Sequence, residues 1–177
     1  MKKKHKKNKI MHTFLNHLKN FAILAAIQVL LFNHIHLFGY ATAYIYLLFI
    51  LKMPRFATRN KQMMWAFALG LIVDIFGNSP GINAAAATAL AFMRNYILAI
   101  FIPNGINEDF VPGTKVLRWS AYISYATICI TLFCIVLFLL ELFTLTRPLH
   151  LAISVASSTL LTLLFVTVIE SFNKSNR

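Results

Sequence analysis

Asp74 is the residue whose chemistry most needs a partner. It is the only formal charge between Gln62 and Met93, inside an otherwise apolar segment. An ionised carboxylate at mid-depth in lipid costs roughly 2.5–3.5 kcal/mol. It must therefore meet a cation, backbone N–H groups of its own turn, or interfacial water. Arg94, the next charge along, faces the same cost and has the alternative of snorkelling toward an interface. As one antiparallel pair, the flanking segments separate Asp74 from Arg94 by about 12 Å along the helix axes. A direct pair needs tilt or water to close that gap. Glu141 and Arg147 lie further on, six residues apart. Asp74, Glu141 and Arg147 form a candidate polar cluster at one end of the molecule, with a local Glu141–Arg147 contact as the alternative.

Around Asp74 the stretch from Gly70 to Ala87 reads GLIVDIFGNSPGINAAAA. Gly77, Asn78, Ser79, Pro80 and Gly81 are turn residues that supply positive φ, a fixed φ or local side-chain hydrogen bonds. Asn83 stands where a helix N-cap is needed. Ala84 to Ala87 are small enough for two backbones to approach closely, so Ala85→Leu is expected to wedge them apart. Gly70, Asp74, Gly77, Pro80, Gly81, Asn83, Arg94 and Glu141 are the structural and partner-binding candidates.

No catalytic, cofactor or metal constellation emerges. H-E-x-x-H, G-x-S-x-G and the phosphate-binding G-x-x-x-x-G-K-[ST] are absent. Intramembrane proteolysis needs a nucleophile with its base, or paired carboxylates. His34 and His36 diverge on a helix and have no carboxylate or Cys beside them. Cys129 and Cys134 lie inside an apolar run and read as small buried side chains. A pocket lined by Asp74, Arg94, Asn83 and Gln28 is the arrangement a transporter would need.

The elements that must position these residues are membrane-spanning by composition. Of 177 residues, 59% are hydrophobic and 12% charged. Soluble domains carry about 25% charged residues. Only five acids are present: Asp74, Glu108, Asp109, Glu141 and Glu170. Residues 20 to 51 contain no formal charge, too long a run for one span and short for two. The polar middle at Asn33–His36 divides it into two, one of them tilted, broken or partly interfacial. Further spans are expected over Gln62–Asn78, Ile82–Ile102, Trp119–Leu140 and Pro148–Ile169. Residues 1–19 form a basic arm, 20–170 a six-helix transmembrane domain and 171–177 a polar tail. Signal-peptide cleavage at Ala41-Thr42-Ala43 is the competing reading of the first run.

Net charge is +12, and its location matters more than its size. With six spans and a cytoplasmic N-terminus, the inside segments collect seven basic residues in the arm. Four more lie at 52–61, two at 115–118 and two in the tail, 15 of the 17 in all. The positive-inside rule thus favours six spans over five, with both termini cytoplasmic. The Lys2–Lys9 run has no interleaved aromatics, so anionic lipid is favoured over nucleic acid as its partner.

With these residues laid out, the chain resembles the rod-shape-determining protein MreD family in a Bacteroidetes-type form. The match rests on NHIHLFGYATAYIY (33–46), GLIVDIFGNSPGINAAAATALAFMR (70–94), the NEDF loop with Trp119, and LELF (140–143). The N-terminal Lys run is longer than the family pattern. The resemblance implies an all-α bundle of six transmembrane helices, similar to the substrate-binding subunits of energy-coupling-factor transporters. It implies a non-enzymatic inner-membrane protein of the cell-elongation machinery, without cofactors, partnering MreC and acting with MreB filaments and peptidoglycan synthases. A small-molecule-binding subunit of an uptake transporter is the alternative, and an intramembrane enzyme the third reading.

Overall fold

The computed structural model describes residues 19, 21–32, 42–55, 57–77, 79–102, 110–114, 116–142 and 148–175. All regular structure among them is helical. Helix α1 is the short apolar helix Phe21–Leu30, which runs into a π-helical turn over Gln28–Phe32. It is followed by α2 (Leu47–Leu51), α3 (Arg59–Gly77), α4 (Ile82–Ile100), α5 (Trp119–Leu142) and α6 (Pro148–Ser175). The four long helices pack in chain order, α3 on α4, α4 on α5 and α5 on α6.

The buried stripe of α5 shows how the sequence builds this packing. Tyr122, Tyr125, Ala126, Cys129, Ile130, Phe133, Cys134 and Leu137 are all buried. Their spacing of three and four residues places them on one face. Both cysteines are free thiols inside that face. Phe133 meets the rings of Tyr44 and Tyr46 edge-on, at centroid distances of 5.2 and 5.9 Å. Phe21 of α1 stacks edge-on against Phe49 of α2 and Trp65 of α3, tying the short N-terminal elements to the hairpin.

Two helical stretches are long and apolar enough to cross a membrane: Trp119–Glu141, with mean hydropathy 2.6, and Ala152–Phe172, with 2.2. The expectation of six such spans is met in composition only here. Helices α3 and α4 have 19 residues each, but α3 opens on Arg59-Asn60-Lys61-Gln62 and carries Asp74, and α4 carries Asn83, Arg94 and Asn95. Among the described residues, α1 is shorter than the roughly 20 residues a span needs. The tail also differs from expectation. Helix α6 continues through Glu170 to Ser175, and Glu170 itself is buried and paired with Lys52.

The stretch expected to form the second span is broken. Residues 42–44 are non-helical, and α2 is a fully buried five-residue helix in contact with α4 and α5. Buried backbone outside a helix must find other partners. Gln28 supplies two: its Nε2 donates to the Ala43 carbonyl (3.0 Å), and its Oε1 accepts from Ile45 N–H (2.8 Å). On α6, Ser158 Oγ accepts from Thr42 N–H and Thr162 Oγ1 from Tyr44 N–H, both at 3.1 Å. Ser158 and Thr162 are one helical turn apart, so one face of α6 serves alternate residues of the extended segment.

Candidate functional site

The junction of α3 and α4 is built around Asp74, which is 3% exposed. Helix α3 ends at Gly77, and the chain turns through Ser79 and Pro80 to Gly81. Gly81 holds φ at 75°, a left-handed value that favours glycine, and immediately precedes α4. A glycine has no side chain to cap the helix, so the first N–H groups of α4 need an acceptor from elsewhere. Asp74 provides it. Its Oδ1 accepts from Asn83 N–H (3.0 Å) and its Oδ2 from Ala84 N–H (2.8 Å). Oδ1 also accepts from Ser79 Oγ (2.6 Å) and Asn83 Nδ2 (2.9 Å). A carboxylate at a helix N-terminus is further favoured by the helix dipole. Asp74 therefore uses backbone N–H groups as its partner, with no cation among these contacts.

Asn83 is thus not the N-cap that its position suggests. It lies inside the first turn and bridges elements: Nδ2 also donates to Ser79 Oγ, and Oδ1 accepts from Tyr46 O–H at 3.1 Å. Tyr46 carries the network to the residue just before α2.

Gly70 sets the crossing of the two helices. A Cβ there would lie 2.6 Å from Ala84 Cα and from the Asn83 carbonyl oxygen. The close approach expected from the alanine run is therefore made by Ala84, buried against Gly70. Ala85 is exposed, so the expected wedge at Ala85 does not apply. Gly77 and Pro80 are exposed at the turn.

Arg94 does not belong to this junction. It is completely buried, and its guanidinium donates to three uncharged oxygens. Nε bonds Tyr125 O–H and Nη1 bonds Gln62 Oε1, both at 2.9 Å, and Nη2 bonds the Met53 carbonyl. Gln62 lies twelve residues before Asp74 on α3, about 18 Å along the axis. Arg94 and Asp74 therefore sit near opposite ends of the hairpin. Gln62 Nε2 donates onward to the carbonyls of Pro54 and Ala57, and Tyr125 O–H to that of Leu51. Arg94 is the hub of a scaffold that holds the 51–57 connection on α3, α4 and α5. The guanidinium fork is suited to such planar, multidentate bonding.

Glu141 is exposed at the end of α5, apart from the closed Asp74 network. Arg147, His34 and His36 lie outside the described residues, as does the basic arm apart from Lys19. The pocket envisaged for Asp74, Arg94, Asn83 and Gln28 does not form. Asp74 and Asn83 share one network, Arg94 has another, and Gln28 binds the 43–45 backbone. Among the described residues no group of three His, Cys, Asp or Glu is placed to hold a metal.

Sequence reasoning missed two polar arrangements. Glu170, the last residue of the expected transmembrane domain and just past the expected sixth span, is 1% exposed. It forms an ion pair with Lys52, and its Oε1 accepts from Thr114 N–H and O–H at 3.3 and 3.1 Å. An isolated acid four residues short of the next basic residue was the only signal. The second is the buried Ser154, Ser158 and Thr162 face of α6. Its four-residue spacing was legible, although its use was not. Neither a protein-family model, nor a curated protein, nor a solved structure matches the chain.

Proposed function

We propose that the chain is a six-span, multi-pass protein of a bacterial inner membrane with both termini cytoplasmic. In this reading it is a non-enzymatic scaffold of the cell-elongation machinery, partnering an MreC-type protein and linking MreB filaments with peptidoglycan synthesis. The bundle would be similar to the substrate-binding subunits of energy-coupling-factor transporters. Support for the membrane setting comes from the distribution of basic residues and from exposed large apolar side chains on every long helix. Met64, Ile75 and Phe76 on α3, Tyr96 and Ile100 on α4, Ile128 and Leu139 on α5, and Leu160 and Phe172 on α6 are examples. In water such faces are a liability, while in lipid they are the natural surface.

The observation that carries the scaffold reading is how Asp74 is used. All four of its hydrogen bonds fix the geometry of one inter-helix turn. A carboxylate committed to geometry suits a protein whose output is a shaped surface, and suits a proton relay poorly. The family resemblance around this stretch supplies the partners. A second reading, a small-molecule-binding subunit of an uptake transporter, has in its favour an apolar cleft of about 910 Å³ beside α1 and α2.

The test uses cells depleted of their own copy and complemented with a tagged chain. Restored rod shape and co-purification of an MreC-type protein are expected. Cells that stay round while the protein accumulates normally in the membrane would refute the scaffold. Mass spectrometry of the same gently extracted material distinguishes the second reading by a stoichiometric water-soluble ligand.

A further inference from the structure

The geometry points to the cleft between α1, α2, residues 110–116 and α6 as the seat of an anionic phospholipid. An acyl chain lies along its aliphatic wall and the phosphate sits at Lys52. This inference rests on the membrane-spanning reading above.

The cleft has a volume of about 910 Å³, and its wall is formed by residues such as Ile23, Ile27, Leu48, Phe49, Val111 and Ile169. Among the described residues, the polar side chains lining it are Lys52 and Glu170. Sites for water-soluble metabolites place several polar groups around the ligand. Here the polar groups converge at one location and the rest of the lining is hydrocarbon, the pattern of an amphiphile. Glu170 is buried, anchored by Thr114, and holds the Lys52 ammonium by an ion pair. Lys52 itself is a quarter exposed, and an ammonium has three donors, so donors remain for a second anion. Glu170 is thereby a positioning residue for the cation.

Charge complementarity selects the headgroup. The Lys52–Glu170 pair is neutral in sum, but Lys19, just before α1, and Arg118, just after the 110–116 segment, are both exposed cations. On the six-span topology this end is cytoplasmic, and basic residues at that surface attract anionic lipid. A zwitterionic lipid would gain the hydrocarbon contacts without that attraction.

The experiment reconstitutes the full chain in phosphatidylcholine vesicles containing a minor fraction of photoactivatable phosphatidylglycerol and maps cross-linked peptides. Label is expected to concentrate on Phe21–Leu30 and residues 110–114. Excess unlabelled phosphatidylglycerol should remove it, and excess phosphatidylcholine should not. Val111→Trp fills the cleft from its exposed rim and should abolish that label, whereas Met64→Trp, on the exposed face of α3, should leave it unchanged. Lys19→Gln combined with Arg118→Gln removes the net positive charge flanking the cleft and should erase the preference for phosphatidylglycerol. Label spread evenly over the exposed faces of α3, α4 and α6, or untouched by Val111→Trp, would overturn the inference. So would occupation of the cleft by the chain's own residues 1–18 or by a water-soluble ligand. Carbonate washing of native membranes separates the two levels. A chain released by carbonate refutes the membrane reading and this inference together, while a retained chain with an unlabelled cleft refutes this inference alone.

Discussion

Asp74 and Arg94 each meet the cost of burying a charge through bonds to neutral groups, at opposite ends of the α3–α4 hairpin. Their substitutions should therefore behave differently from those of an ion pair. Asp74→Leu removes a costly charge, so insertion is expected to be at least as efficient as in wild type. The folded protein loses its cap, however, and the Asn83 and Ala84 N–H groups are left without an acceptor. Orphaned buried donors cost ~1–3 kcal/mol each. Asp74→Leu should lower stability by about 2–4 kcal/mol, and Asp74→Asn, which keeps one acceptor oxygen, by about half as much. Thermal unfolding in detergent measures both, alongside membrane abundance. If the Leu variant inserts normally and melts like wild type, Asp74 is not the cap of α4.

At the scale of elements, the hairpin is set by a contact too close for any side chain. Gly70 lies against the backbone of Asn83 and Ala84. Overpacking of a tight contact typically costs ~1–3 kcal/mol. Gly70→Ala is expected to reach or exceed the top of that range, because the obstructing atoms are backbone and cannot rotate away. Gly81→Ala meets open space, so its cost is the left-handed φ alone, ~1 kcal/mol. Ala85→Leu, on the exposed side of α4, should be close to neutral. The order Gly70→Ala, then Gly81→Ala, then Ala85→Leu in melting temperature is the check. Equal losses at Ala85 and Gly70 would mean that α4 is rotated relative to this structure. The same scale explains the broken segment before α2. Backbone groups of residues 42–45 are satisfied by Gln28 from one side and by Ser158 and Thr162 from the other, so helix is not required there.

For the whole molecule, the proposed topology makes the two ends of the hairpin face opposite compartments. Single-cysteine variants at Asn60, Pro80 and Ser175, in a background lacking Cys129 and Cys134, test it with a membrane-impermeant thiol reagent on intact cells. Only the cysteine at position 80 should react from outside, because the basic residues cluster on the other side. Labelling at position 60 in intact cells contradicts six spans with a cytoplasmic N-terminus. With position 80 labelled and position 60 protected, the Arg94 hub and the Lys52–Glu170 pair lie on the cytoplasmic side and the Asp74 junction on the outer side.

The sequence by itself determined the four long helices to within a few residues at most ends. Continuous apolar runs bounded by Gly, Pro and Asn leave little else for the backbone to do. It also singled out Asp74 and the Gly70–Ala87 stretch, because a lone charge and a turn-forming cluster stand out against apolar surroundings. Only the tertiary structure decided the partners. The acceptor that caps α4 comes from α3, and the hydroxyls that hold residues 42 and 44 come from more than a hundred residues away. Arg94 selects neutral oxygens, one of them on Gln62, about 18 Å along α3 from Asp74, a choice of distance and direction that spacing along one chain does not encode. Glu170 looked like the end of the last span because charge usually marks exposure. Its burial depends on Lys52 and Thr114 arriving from two other segments, and no local pattern announces them.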